Sequence, residues 1–140
     1  MTEVLVRSDS GLSATVRVGE HELIVDEPVA SGGLDAGPNP YEMLLAALGT
    51  CTAITLRVYA QTKGWPLAGV EVRLSHDRIH AEDCANCETR DGMLDHISKG
   101  LVLHGPLTDD QRQRLAMIAE RCPVQKTLTR EIVIDQRLLD

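Results

Sequence analysis

The chain has 140 residues, enough for one domain with a real core, and a net charge of −7 that argues against broad attraction to nucleic acid or to an anionic membrane. Hydrophobic residues make up 43% of it, yet there is no Phe, one Trp and two Tyr, so the core must be aliphatic. Stacking of bases on aromatic side chains is excluded as a way of working.

In chain order, the opening MTEVLVRSDS places Glu3 and Arg7 where a secretory signal would have to be apolar, so a cytoplasmic protein is expected. Three segments follow, EVLVR at 3–7, SATVRV at 13–18 and HELIVD at 21–26, each rich in Val, Leu or Ile and bounded by turn formers; they read as strands of a meander. EPVASGGLDAGPNP is a loop. It ends at Asn39, an N-cap, with Pro40 at the first helical position and Glu42 closing a capping box. The helix runs from about 40 to 63 and is apolar on nearly every face through Val58, with Thr50, Thr52 and Thr55 as interruptions, which marks a buried central helix. Arg57 and the threonines leave the apolar run too short for a membrane span.

VEVRLSHD at 70–77 alternates, with Val70, Val72, Leu74 and His76 on one face; His76 reads as a satisfied core histidine. A polar stretch, RIHAEDCANCETRDG, leads to a second strand around 94–104. Thr108 and Gln111 make another capping box, and Leu115, Ile118, Ala119 and Cys122 share one stripe of a helix at 108–121. Pro123 breaks or restarts that helix, and REIVIDQRLL at 130–139 reads as a closing strand. The class is α+β, in a single domain over 1–140. A helix apolar all round needs more cover than one small sheet provides. An intertwined homodimer with packed central helices is therefore expected, Gly49 and Ala53 allowing close approach.

Four cysteines in a reducing compartment point to redox chemistry or metal before a structural staple. Cys51 has Leu44, Ala47, Leu48, Ile54 and Val58 at helical spacing, which suits either a space-filling thiol or a reactive one in an apolar pocket. Cys122 stands directly before Pro123, as N-cap of a restarted helix, where a thiolate is favoured; its place on the apolar stripe suits plain burial equally. HAEDCANCE supplies Cys84 and Cys87 with His80, Asp83 and Glu88 nearby. That is half of a zinc signature, and an accessory dithiol or a local loop disulfide fits it as well.

Taken together, GPNPYEMLLAALGTC at 37–51 and ERCPVQKTL at 120–128, with strands in this order, resemble the OsmC/Ohr family over nearly the whole chain. The resemblance implies an OsmC-like obligate homodimer, antiparallel sheets wrapped around long central helices, and a thiol peroxidase acting on organic hydroperoxides without a cofactor. By the family pattern Cys51 is the peroxidatic cysteine, passing through a sulfenic acid, and Cys122 resolves it as a disulfide. An external dithiol, a lipoyl group in the Ohr branch, restores the pair. Glu42 matches the family's acidic residue, which orients an arginine beside the thiol; Arg7 and Arg17 lie in the right region, and Arg17 is the choice here. Nine residues of helix put Glu42 and Cys51 roughly 180° apart around the axis and about 13.5 Å along it. Either the helix is broken between them or Glu42 serves the other chain. The alternative function is a non-catalytic relative that holds a small apolar ligand or a metal ion in the interface pocket or at the Cys84/Cys87 loop.

Overall fold

Alternating Val, Leu and Ile on three short segments give an antiparallel meander, β1 (Val4–Arg7), β2 (Ala14–Val18) and β3 (His21–Val25), with β2 in the middle. The register sets Leu5 opposite Arg17 and Arg17 opposite Glu22. The computed structural model describes residues 2–140 and divides them into two compact units, the first ending at Ala46 and the second spanning Ala47–Asp140.

In the first unit the loop after β3 is organised by Asp26, only 2% exposed. Its Oδ1 accepts the Glu27 N–H at 2.8 Å, and its Oδ2 accepts those of Leu34 at 3.1 Å and Ala36 at 3.2 Å. The bonds from Glu27 and Ala36 hold the carboxyl below its ordinary value, outweighing burial, which acts the other way; Leu34 adds to them. Gly33 lets the loop close this tightly, because a Cβ there would lie 2.0 Å from the Glu27 carbonyl oxygen.

Helix α1 (Pro40–Lys63) has the bounds that its cap and pattern predict. Asn39 Oδ1 accepts the Glu42 N–H at 2.8 Å and Glu42 Oε1 accepts the Asn39 N–H at 2.9 Å, the reciprocal bonds of a capping box. By length and a mean hydropathy of 1.5 this helix could cross a membrane, so the expectation that its apolar run is too short is corrected. Within the chain only 28% of its apolar window is buried, so it is not the wholly buried helix that the sequence pattern suggests. Leu48, Thr52, Leu56 and Ala60 are buried, and Arg57 donates to the carbonyls of Leu67 at 3.0 Å and Ala68 at 3.1 Å.

The second unit adds a long antiparallel hairpin, β4 (Gly69–His80) and β5 (Met93–His104), then α2 (Asp109–Ala119) and α3 (Pro123–Leu128). The Thr108–Gln111 capping box starts α2 as expected, and α3 is the restart at Pro123. Leu56, Ala60, Leu67, Leu115, Ile118 and Ala119 form the core, covered by Tyr59, Trp65, Val70, Leu101 and Leu103 among others.

Two further expectations are corrected. Residues 130–139 form no strand, although the apolar residues are there: Ile132, Val133, Ile134, Leu138 and Leu139 are all more than half exposed. A strand exists only by exchanging hydrogen bonds with a neighbour, and among the described residues no sheet edge pairs with this segment. Gly49 is not kept for a second helix. It is buried, and a Cβ there would lie 2.7 Å from Leu74 Cδ1, so its small size serves the approach of α1 to β4 within the chain.

Gly49→Val is expected to lower stability by about 1–3 kcal/mol through overpacking, with Leu74→Ala recovering part of the loss, as read from denaturant midpoints. For Asp26, whose folded pKa is depressed, the stabilisation is present above the unfolded value of about 3.9 and is lost as pH falls through the lower folded value. Urea midpoints of the protein and of Asp26→Asn should therefore differ at pH 6 and converge toward pH 2.

Candidate active site

Cys51 and Thr52 are consecutive on α1, so their side chains leave the axis about 100° apart. Thr52 belongs to the buried face and is 0% exposed. Cys51 is half-buried, at the border between that face and a stripe formed by Ala47, Ile54 and Val58, all of them exposed. Cys122 is reached from the other direction. It ends the α2 stripe of Leu115, Ile118 and Ala119, is itself 0% exposed, and turns extended so that Pro123 can open α3.

The fold brings the two free thiols together. Cys122 Sγ accepts the Gln125 N–H at 3.4 Å, lies 3.5 Å from the Thr52 hydroxyl and has the Cys51 thiol close by. Burial pushes the Cys122 thiol up, but the bonds from Thr52, Gln125 and Cys51, with the charge of Lys99, outweigh it and hold the thiol below its ordinary value.

Lys99 is the group that sequence reasoning missed. It stands on β5 between Ile97 and Leu101, on the strand face that also carries Leu103, and it is half-buried. Its ammonium donates to Thr52 Oγ1 at 3.1 Å, to the Ala119 carbonyl at 2.9 Å and, in a short bond, to Gln125 Oε1. Burial lowers its pKa, while Cys122, Glu120 and Cys51 act to raise it. The signal was present: a lysine at the inward step of a period-two pattern is either an error of register or a buried charge with a purpose.

Glu42 and Arg17 have other partners. The Glu42 carboxylate caps α1 through Asn39, and because α1 is unbroken from 40 to 63 the broken-helix route to Cys51 is closed. Arg17 is an exposed strand residue, 3.6 Å from Glu22, and Arg7 bonds Asp9 at 2.9 Å. Cys84 and Cys87 are joined as a disulfide beyond β4, the loop-disulfide reading of that motif. Bonded sulfurs cannot be zinc thiolates, and no group of three or more His, Cys, Asp or Glu among the described residues could hold a metal ion. His76 Nε2 meets Asp95 Oδ1 at 2.9 Å, a satisfied histidine as expected.

The family model described as OsmC-like protein matches residues 32–137, a span that includes both thiols and α1 entire. The chain belongs to the OsmC-like protein family. An uncharacterized protein of Haloferax volcanii is 27% identical over 130 residues, covering 91% of this chain and 87% of its own length. Among solved structures, the OsmC-like protein from Mycoplasma pneumoniae superposes with a TM-score of 0.67 at 20% identity, over 91% of this chain and 85% of that one. The organic hydroperoxide resistance protein OsmC from Legionella pneumophila gives 0.64 at 19% identity, over 91% and 89%. At such identities the structural matches establish the OsmC-like fold, mixed α+β with antiparallel sheets.

If the Thr52 hydroxyl supports a Cys122 thiolate, Thr52→Val should raise that thiol's pKa by about 0.5–1 unit, the value of one hydrogen bond. Thiolate absorbance at 240 nm, titrated in a Cys51→Ser background with Cys84 and Cys87 oxidised, measures it on a single sulfur.

Proposed function

We propose that the protein is a cytoplasmic, thiol-dependent peroxidase that reduces organic hydroperoxides to alcohols, built as a single OsmC-like domain over residues 1–140 that pairs as a homodimer. The observation that carries this reading is the close pair of free sulfurs, one half-buried at Cys51 and one fully buried at Cys122. In this scheme the Cys51 thiolate attacks the outer peroxide oxygen, the O–O bond breaks, and the alcohol leaves as Cys51 becomes a sulfenic acid. Cys122, having given its proton to the alcohol, then attacks the Cys51 sulfur as a thiolate, the S–O bond breaks, and hydroxide is released as the disulfide forms. An external dithiol such as a lipoyl group returns two electrons and is itself oxidised to a disulfide.

The bare stripe of Ala47, Ile54 and Val58 beside Cys51 supports the dimer, since a second copy of α1 laid along it would bury exposed Ile54 and Val58 and enclose Cys51 in apolar surroundings. Glu42, which cannot meet Cys51 along one helix, is assigned to the thiol across that interface, with Arg17 as the arginine it orients. An apolar enclosure favours lipophilic peroxides over hydrogen peroxide.

One equivalent of cumene hydroperoxide added to reduced protein should produce a Cys51–Cys122 disulfide within seconds, seen by peptide mass mapping. Cys51→Ser should abolish turnover by at least about a hundredfold, and Cys122→Ser should leave a sulfenic acid that dimedone traps. Unreacted thiols, or equal rates with hydrogen peroxide, would count against the enzyme and its substrate preference respectively.

A further inference from the structure

Lys99 has three N–H donors and three acceptors, each on a different helix: Thr52 on α1, the Ala119 carbonyl at the end of α2, and Gln125 on α3. Every proton of the ammonium is therefore used, and loss of one would leave a buried acceptor unmet. The first of these acceptors, Thr52 Oγ1, has a single proton of its own, placed between the Leu48 carbonyl at 2.9 Å and Cys122 Sγ at 3.5 Å. A negative charge on Cys122 draws that proton toward sulfur, with Lys99 stabilising the hydroxyl from behind. Gln125 N–H is a second donor to the same sulfur, and the Cys51 thiol lies close to it. The groups that face Cys122 are thus Cys51 and Thr52 from α1, Gln125 from α3 and Lys99 from β5, with Glu120 acting on Lys99 from the end of α2. The polar groups that act on Cys122 are all donors or cations. The Gln125 N–H is accounted for by the cap of α3, but a thiol whose only role was to fill space would not need Thr52 and Lys99 beside it.

We propose that Lys99 is the positioning cation of the thiol pair, holding Cys51 and Cys122 with one proton between them, so that Cys122 serves first as the base for Cys51 and then as the nucleophile that closes the disulfide. The proposal rests on the peroxidase reading and assigns the charge on the resolving side to a residue of β5. The pair carries one proton, which Cys51 must give up in order to attack. As Cys51 attacks the hydroperoxide its proton passes to Cys122, the peroxide O–O bond breaks, and the departing alkoxide takes that proton back to leave as alcohol. Cys122, again a thiolate, displaces hydroxide from the Cys51 sulfenic acid. One thiol, one thiolate and one hydroperoxide become one disulfide, one alcohol and one hydroxide, with two electrons moved from sulfur to oxygen.

The test compares Lys99→Met, which keeps length and loses charge, with Lys99→Arg, which keeps charge. In the reduced protein without peroxide, the thiolate titration at 240 nm should move up by about one unit or more in Lys99→Met, and much less in Lys99→Arg. With cumene hydroperoxide, disulfide formation at pH 7 should slow by about tenfold or more in Lys99→Met and recover as pH is raised, while Lys99→Arg keeps most of the rate. A folded Lys99→Met with an unchanged titration and pH profile overturns the proposal, as does a Lys99→Arg that is no better than Lys99→Met. If Lys99→Met does not fold, Lys99→Gln and Thr52→Val carry the same titration. Should the unsubstituted protein form no Cys51–Cys122 disulfide with peroxide, the peroxidase reading fails by itself, and the peroxide-free titration still decides what Lys99 does to the pair.

Discussion

A lysine ammonium taken out of water is tolerated only where each of its protons finds an acceptor, and at Lys99 the acceptors come from the ends or middles of three different helices. That requirement fixes where α1, α2 and α3 can stand relative to β5. It also fixes the chemistry available between them, because the Ala119 carbonyl and the Gln125 amide are free for Lys99 only where α2 has ended and α3 has begun. Cys122 occupies that break, as the cap of α3, so the same cation that joins the helices sits behind the buried sulfur.

The two thiols differ through the faces of α1 that present them. The buried face, carrying Leu48, Thr52, Leu56 and Ala60, delivers Thr52 to Cys122. One residue earlier, Cys51 sits at the edge of the face left bare, beside Ile54 and Val58. One helix therefore gives a partly accessible sulfur and a hydroxyl that supports a buried one. Gly49 makes this possible from within the chain, by letting α1 settle onto Leu74 of β4 and so bringing Thr52 within reach of Lys99, which pairs with Leu74 in the hairpin register.

Much of this was legible beforehand where the cause is local. The Asn39–Glu42 and Thr108–Gln111 caps, the Pro40 start, the Pro123 restart and the alternating faces of β4 depend on residues within a turn or a strand of one another, and they appear as read. Lys99 was legible only as an anomaly, a lysine at the inward step of a strand; what it bonds was not, because its acceptors lie 20, 26 and 47 residues away. Residues 130–139 failed for the same kind of reason in reverse: the pattern of a strand is local, but its hydrogen bonds belong to a neighbour.

By itself, then, the sequence determined most of the elements, their caps and their order, the α+β class, and the two cysteines of the motifs, since backbone propensity, capping and periodicity act over distances that a short window contains. Only the tertiary structure decided that Cys51 and Cys122 come close together, that Cys84 and Cys87 are bonded to each other, that Gly49 is used inside the chain, and that a lysine from β5 stands half-buried beside the buried thiol. Those are contacts between residues distant in the chain, and their energies depend on burial and on which donors face which acceptors. These quantities come into being only when the helices close over the strands.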